Sequence, residues 1–290
     1  MHAHDAHAVT IAATALSFGA AAPAPRLVAA RRVDFHLSRN SFSRWKHRQV
    51  ARFIAASHAI GEMLYQDGIP RHRISVVHDG IDVERISRIT PTDLHREFWL
   101  PHGVPVIVNI GALVDHKGQR YLLDALPLAM RHVPEMHLVI LGEGDLRHPL
   151  EQQIHRLHLE RAVRMPGFRA DVLALARSAD LFVMSSVTEG LGSTVLDAMA
   201  MGLAVVGTRA GGIPEAVVDG ETGLLVPVAD PPALAAAIVA LMKDPARRAR
   251  YGAAGRAHVA AHFTVDHLVE RTFEVYQDVI ASAARVEPPD

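Results

Sequence analysis

Short apolar runs alternate with helical patterns along most of the chain, and this alternation constrains the fold more than any other feature. Strands are predicted at Pro105–Ile110, His137–Leu141 and Asp180–Ser185, each followed by a helical pattern. Strand–helix alternation at this spacing predicts an α/β fold with parallel sheets and helices on both faces. Ligands bind at the carboxyl ends of the strands in such sheets, so residues just after a strand are the first candidates for a site.

The same alternation extends toward both ends of the chain. It predicts a strand at Phe53–Ser57 followed by a helix at His58–Tyr65, and a last long helix at Val265–Ala284. Between Asp82 and about Leu100 the chain is polar and irregular, which is typical of a connection between domains.

Size and composition limit the classes of protein. A chain of 290 residues suits about two domains. The residues are 49% hydrophobic but only 5% aromatic, so the core must consist mainly of Ala, Val, Leu and Ile. A net charge of −1 argues against a nucleic-acid partner. The absence of cysteine excludes disulfides and thiolate chemistry.

Charge is distributed unevenly along the chain. Residues 1–88 carry 12 Arg and Lys against 7 Asp and Glu, hence +5, and the remainder carries 18 against 24, hence −6. The basic portion could face an anionic membrane or a phosphorylated acceptor. No apolar run approaches the roughly 18–20 residues of a membrane span, and the first residues lack the basic region of a secretory signal. We therefore expect a cytoplasmic protein, with peripheral contact at the inner face of the plasma membrane as an option.

The segment Glu189–Ala200 combines two carboxylates, Glu189 and Asp197, with a glycine-rich turn that leads into an apolar helix. Because a helix advances by about 100° per residue, the eight-residue spacing predicts that both carboxylates face nearly the same side. The turn offers backbone N–H groups at a helix N-terminus, which favour a phosphate. This combination suits a nucleotide sugar. The alternative is an ordinary loop–helix junction, with glycine for the turn and acids for the helix dipole.

Six motifs in fixed order resemble family 4 of the glycosyltransferases, retaining enzymes of the GT-B architecture, and the resemblance covers nearly the whole chain. They are Val77–Asp82, Gly111–Gly118, Leu141–Gly144, Glu189–Ala200, Gly211–Glu215 and Asp219–Val226. The short motifs are weak when taken singly, whereas their order is highly specific.

The resemblance implies an α/β protein of the GT-B fold, with two Rossmann-like domains whose parallel sheets face each other across a cleft. We expect a first, acceptor-side domain at residues 1–90 and a nucleotide-sugar-binding domain at residues 91–264. Residues 265–290 would form a C-terminal helix that crosses back to the first domain. Met1 corresponds to a point well inside the family's first domain, so we expect that domain to be incomplete.

The resemblance also assigns roles by position. Glu189 would bind hydroxyls of the donor sugar, and Lys117 would neutralise the negative charge that grows on the departing diphosphate. His4 lies where the family has a histidine near the donor sugar and the acceptor. Asp197 takes the place of a glutamate that binds the ribose, while the amides of Gly192 to Val195 would surround the diphosphate. The expected donor-binding residues are Gly111, Gly190, Leu191, Gly192, Ser193, Thr194, Val195 and Asp197.

Two residues of the Gly111–Gly118 motif leave alternatives open. Ala112 stands where the family usually has an arginine. One of two positive charges on the leaving group would then be missing, unless His116 or Arg169 supplies it. For Lys117, the alternative to a catalytic role is an exposed lysine at the start of a helix.

The resemblance implies transfer of a hexosyl unit from a UDP- or GDP-sugar to a hydroxyl acceptor with retention of anomeric configuration. The departing diphosphate would accept the proton of the acceptor on the same face of the sugar. No cofactor or metal is expected, because Lys117 and the helix after Gly192 would act in place of a cation. The acceptor would belong to cell-envelope polysaccharide, lipopolysaccharide or glycolipid synthesis, and could be lipid-linked.

Two other functions are open on the sequence. A metal hydrolase could use His2, His4, Asp5 and His7, although their order does not match the His-x-His-x-Asp-His pattern. A non-catalytic nucleotide-sugar-binding fragment or truncated pseudoenzyme is favoured by Ala112 and by the incomplete first domain. Sugar-nucleotide epimerases share the GT-B architecture but lack the arrangement of Glu189 and Asp197.

Overall fold

A computed structural model describes residues 1–19, 25–38 and 40–284. By its internal contacts the chain forms two units, one of Met1–Gly80 with the helix Val265–Ala284 and one of Ile81–Thr264. Residues 81–90, predicted to belong with the first domain, lie in the second unit.

The elements alternate along the chain as the apolar pattern predicts. Within the described residues the strands are β1 (His2–Ala3), β2 (Leu27–Arg31), β3 (Val50–Ala55), β4 (Ile74–Val76), β5 (Val106–Ile110), β6 (His137–Leu141), β7 (Val163–Gly167), β8 (Leu181–Met184), β9 (Val205–Thr208) and β10 (Gly223–Val226). The helices are α1 (Ala6–Phe18), α2 (Ser41–Arg48), α3 (His58–Gln66), α4 (Val83–Ser87), α5 (Leu94–Glu97), α6 (Gln119–Met130), α7 (Arg147–Arg156), α8 (Val172–Ala176), α9 (Ser193–Ala200), α10 (Ile213–Ala216), α11 (Pro231–Met242), α12 (Pro245–His262) and α13 (Val265–Ala284).

The second unit contains a six-stranded sheet in the order β10-β9-β8-β5-β6-β7, and all its pairings are parallel. The chain builds outward from β5 through β6 to β7, then returns to β8 beside β5 and builds outward on the other side. This is the doubly wound strand order of dinucleotide-binding folds, and its direction reverses between β5 and β8. A ligand crevice is therefore expected where these two strands end.

Alternate residues of the central strands face opposite sides of this sheet, because side chains in a strand have a period of two. Val108 and Phe182 face one side, where they join a buried cluster that includes Leu196 of α9. Ile107 and Val183 face the other side, in a cluster formed with helices α6 and α11. Since both faces are covered, these strands read as continuous apolar runs in the sequence.

The first unit contains a four-stranded parallel sheet in the order β1-β2-β3-β4. Ala29 and Phe53 face a buried cluster that includes residues of α1 and α3. Val28 and Ile54 face the opposite side, where they pack against Val275 and other residues of α13. The predicted α/β class, with two sheets of parallel strands, is confirmed.

The prediction of an irregular connection from Asp82 to about Leu100 is wrong. The helices α4 and α5 lie there, and the carboxylates of Asp82 and Asp93 cap their N-termini. Ile86 and Leu94 are 3% and 0% exposed, so one apolar side chain anchors each short helix to the core. Among the described helices of the chain, none is long and apolar enough to cross a membrane.

Candidate functional site

The predicted residues Lys117 and Glu189 lie at the point where the strand order reverses. Lys117 ends a short 3-10 segment, Asp115–Lys117, that follows β5. Glu189 lies in the loop between β8 and α9. The main-chain N–H of Val187 donates to the carbonyl oxygen of His116 at 2.7 Å, so the two loops are joined directly. The structure therefore brings together two residues that are 72 positions apart in the sequence.

Lys117 and Glu189 form an ion pair. The Nζ atom of Lys117 donates to Oε2 of Glu189 at 2.6 Å, and the two side chains are 19% and 13% exposed. Shielding from water strengthens such a pair. Lys117 thus lies at the carboxyl end of β5, directly before helix α6, with its side chain paired rather than exposed.

Helix α9 begins after Gly192, which caps it with a backbone φ of 85°. Glu189 therefore precedes the helix, and the prediction that helical periodicity places it on the same face as Asp197 is wrong. No side chain in the described part of the chain caps the first turn of α9. That turn can therefore present backbone N–H groups to an anion.

Not all the predicted donor-binding residues are equally available to a ligand. The N–H of Val195 donates to the carbonyl oxygen of Gly192 at 2.8 Å, and the Val195 side chain is buried. Leu191 is 3% exposed and belongs to the core, and Gly190 is buried as well. Ser193 is exposed and Thr194 is half-buried, so these two have the most accessible position at the start of the helix.

Asp197 lies one turn into α9 and is half-buried. Burial raises its pKa to about 6, and the positive charge of Arg85 partly opposes this increase. The carboxylate is therefore costly to ionise in the unliganded site. A hydroxyl donor from a ligand would stabilise the ionised form.

Gly111 lies against the Lys117 side chain, and Ala112 follows it in the same loop. A Cβ atom at Gly111 would lie 3.6 Å from Cδ of Lys117, so the lysine stem packs against this glycine. Ala112 provides no charge, and its carbonyl oxygen accepts a hydrogen bond from Gln119 at 3.0 Å. Arg169 is held by both carboxylate oxygens of Asp171 and by Glu97, which together raise its pKa. All three guanidinium nitrogens of Arg169 thus donate to these two carboxylates.

His4 belongs to the first unit, where it is exposed and its ring centre lies 4.1 Å from that of His2. Both line a cavity of about 290 Å³ at the carboxyl ends of the strands of that unit. Nδ1 of His2 lies 2.6 Å from the Tyr276 hydroxyl, and burial is the main cause that lowers the pKa of His2 to about 4. Asp5 caps α1, accepting from two backbone N–H groups at 2.8 Å. Both bonds are to Oδ1, so one oxygen of the carboxylate that the metal-hydrolase alternative would use is engaged in the cap.

Two hydroxyl residues at this site were not predicted from the sequence. Ser186 donates to Oε2 of Glu189 at 3.1 Å, and Thr208 at the end of β9 donates to the carbonyl oxygen of Ser186 at 2.6 Å. Both side chains are almost fully buried. The available signal is their position, because each lies at the carboxyl end of a strand next to the reversal of the sheet.

Comparisons with known proteins identify the family to which the chain is similar. A family model for the glycosyl transferases group 1 matches residues 92–258, and a model for glycosyltransferase family 4 matches residues 1–85. A GDP-mannose-dependent monoacylated alpha-(1-6)-phosphatidylinositol monomannoside mannosyltransferase of Corynebacterium glutamicum is 34% identical over 68% of this chain and 54% of its own length. A GDP-mannose-dependent alpha-(1-6)-phosphatidylinositol monomannoside mannosyltransferase of Mycolicibacterium smegmatis is 38% identical over 58% of this chain and 45% of its own.

Among solved structures, Anabaena Alr3699/HepE in complex with UDP-glucose is similar, with a TM-score of 0.81 and 25% identity. The similarity covers 98% of this chain and 79% of that protein. The chain spans about half the length of the two curated relatives.

Proposed function

The chain belongs to the glycosyl transferases group 1 family, and we propose that it is a retaining glycosyltransferase that uses a nucleoside diphosphate sugar. One observation carries this proposal most directly. A shielded cation and carboxylate, Lys117 and Glu189, lie where β5 and β8 end, and the N-terminus of α9 follows in the same loop. This combination offers separate partners for a diphosphate and for the hydroxyls of a sugar.

Each residue then has a role that its surroundings support. Lys117 has further N–H donors beside the one that binds Glu189, and these stabilise the charge that develops on the diphosphate as the sugar leaves. The N–H groups of Ser193 and Thr194 bind the same diphosphate. Asp197 accepts a hydrogen bond from the ribose. His4 would lie near the donor sugar and the acceptor, an assignment that rests on the family resemblance.

The reaction we propose retains the anomeric configuration. The bond between the sugar and the diphosphate breaks, and the acceptor oxygen forms a new bond on the same face of the sugar. The departing diphosphate takes the acceptor proton. Lys117 and the start of α9 balance its charge, so the proposed reaction needs no metal ion.

The donor and acceptor are proposed by class. Two relatives are named for GDP-mannose and a solved neighbour contains UDP-glucose, so a hexosyl donor carrying UDP or GDP is proposed here. The same two relatives are named for phosphatidylinositol mannosides. We propose a hydroxyl acceptor in cell-envelope glycolipid or polysaccharide synthesis, with the basic residues of the first 88 positions facing an anionic membrane.

The variant Glu189→Ala tests the assignment. Release of nucleoside diphosphate from UDP-glucose and from GDP-mannose is measured with an envelope lipid extract as acceptor, and the anomeric configuration of the product is read by NMR. We expect the variant to lose turnover by about 100-fold or more, because it removes a group that binds the sugar in the transition state. Glu151→Ala is the matched control, because it removes a carboxylate from α7 that is paired with Arg147 at 3.0 Å. Wild-type turnover in Glu189→Ala would contradict the role of Glu189.

A second candidate is a nucleotide-sugar-binding protein without transferase activity. It is favoured by Ala112, which carries no charge, and by Arg169, whose guanidinium is already paired with Asp171 and Glu97. This candidate would be supported over the transferase if the chain binds a nucleotide but shows no turnover of any donor in the presence of the lipid extract.

A further inference from the structure

Two consecutive serines, Ser185 and Ser186, directly follow strand β8 and donate hydrogen bonds to Lys117 and Glu189. We propose that Ser186 is the positioning residue that orients the Glu189 carboxylate toward the donor sugar, with Thr208 as its support. This rests on the proposed function, because it assigns the sugar-binding oxygen of the same site.

Ser186 and Lys117 share one oxygen of Glu189. Lys117 donates to Oε2 at 2.6 Å and Ser186 donates to the same atom at 3.1 Å. No described residue donates a hydrogen bond to Oε1. Two fixed donors on Oε2 set the rotation of the carboxylate, which leaves Oε1 as the oxygen that accepts from a sugar hydroxyl.

Ser186 is itself held from the neighbouring strand. Its side chain is 0% exposed, and its carbonyl oxygen accepts from Oγ1 of Thr208 at 2.6 Å. Thr208 is 2% exposed and lies at the end of β9. A buried hydroxyl that loses its partner is costly, so this chain of two hydrogen bonds favours a single arrangement.

Ser185 holds the other half of the ion pair. Its hydroxyl donates to the carbonyl oxygen of Lys117 at 3.1 Å. The backbone of Gly118 approaches this point so closely that a Cβ atom there would lie 2.2 Å from the carbonyl oxygen of Ser185. Lys117 and Glu189 are thus each hydrogen-bonded to one of the two serines after β8. These contacts, and not the loops alone, fix the distance between Lys117 and Glu189.

Four variants separate positioning from stability. Ser186→Ala removes the hydroxyl that contacts Glu189. Thr208→Val removes the supporting hydroxyl and keeps the side-chain shape, whereas Thr208→Ser keeps the hydroxyl and is the conservative rescue. Ser178→Ala is the matched control, because Ser178 also donates to a backbone carbonyl, that of Thr92 at 2.6 Å, but it precedes the amino end of β8.

The first readout is independent of any nucleotide. The chain has three lysines, Lys46, Lys117 and Lys243, so limited acylation followed by mass spectrometry gives the reactivity of Lys117 relative to exposed Lys243. We expect Ser186→Ala to raise this ratio by about tenfold or more, the factor for losing a hydrogen bond to a charged group. Thr208→Val should raise it in the same direction, while Thr208→Ser and Ser178→Ala should match the wild type. An unchanged ratio in folded Ser186→Ala would overturn the proposal.

The second readout is the preference for a nucleotide sugar over its nucleotide. The affinities for UDP-glucose and UDP, and for GDP-mannose and GDP, are compared by calorimetry, and kcat and KM are measured wherever turnover occurs. We expect Ser186→Ala to lose the affinity that the sugar adds to that of the nucleotide, and to retain its affinity for the bare nucleotide. Where turnover occurs, the variant should lower kcat more than it raises KM. An equal loss for sugar and bare nucleotide would contradict positioning of Glu189. If the wild type binds no nucleotide, the proposed function fails, whereas the labelling result still decides whether Ser186 positions Glu189.

Discussion

At the scale of the residue, the site contains two carboxylates in different electrostatic surroundings. Lys117 and Glu189 balance each other at 2.6 Å, so both can be charged in a shielded place. Asp197 has no comparable partner within its helix, and burial raises its pKa to about 6, above the ordinary value of 3.8. An empty site with one unfavourable carboxylate is suited to a ligand that supplies hydrogen-bond donors.

The variant Asp197→Asn tests this cost through the pH dependence of stability. The folded state binds the Asp197 proton more tightly than the unfolded state does, so this residue stabilises the fold below about pH 4 and loses that contribution as the pH rises through about 6. We expect the variant to exceed the wild type in unfolding free energy by about 1–2 kcal/mol at pH 8, and to approach it at pH 4.

Urea unfolding at the two pH values measures this difference. Asp244→Asn is the control, because Asp244 is an exposed cap of α12 and asparagine serves equally well at an N-cap. A wild type that is as stable as Asp197→Asn at pH 8 would show that burial of Asp197 carries no cost.

At the scale of the element, the site depends on where helices and loops begin. The sequence pattern treated Glu189 and Asp197 as points on one helical surface. The helix begins at Ser193, and Glu189 is placed by the loop, whose carbonyl oxygen at Glu189 accepts from the N–H of Gly212 at 3.2 Å. A contact between segments that are separated in sequence decides the position of Glu189, and such a contact cannot be predicted from local periodicity.

Gly118 is a backbone position at which the loops after β5 and β8 meet. It has a φ of 63°, and a Cβ atom there would lie 2.2 Å from the carbonyl oxygen of Ser185. Gly220 has a φ of 80°, and a Cβ atom there would have nothing within 4 Å. Alanine at this position therefore has the conformational cost of a positive φ but no clash. We expect Gly220→Ala to lose about 1–2 kcal/mol of unfolding free energy. Gly118→Ala should lose at least about 2 kcal/mol more, because the backbone itself must move.

The comparison of these two variants by urea unfolding checks the contact between the loops after β5 and β8. Equal losses for Gly118→Ala and Gly220→Ala would mean that the two loops can separate at no cost. In that case the position of Lys117 would not be fixed by β8.

At the scale of the whole molecule, the fold was more predictable than the details of the site. The apolar runs of β5, β6 and β8 identify the second unit, because buried parallel strands have few polar residues. The helix α1 was not predicted, since its Ala- and Thr-rich sequence buries only Val9 and Ala13 and gives a weak pattern. Ser186 and Thr208 were missed for a related reason: a hydroxyl gains its role only from the partner that folding brings to it.

The central proposal is that the second unit binds a nucleoside diphosphate through Lys117, Asp197 and the start of α9. Calorimetric titration of the purified chain with UDP, GDP and ADP, without added metal, tests it most directly. A parallel thermal-shift series reports the accompanying gain in stability. Lys243→Ala is the matched control, because it removes an exposed lysine at the end of α11. We expect one nucleotide to bind to the wild type and to the control, and binding to be lost in Lys117→Ala and Asp197→Ala. A folded wild type that responds to none of the three nucleotides would contradict the proposal.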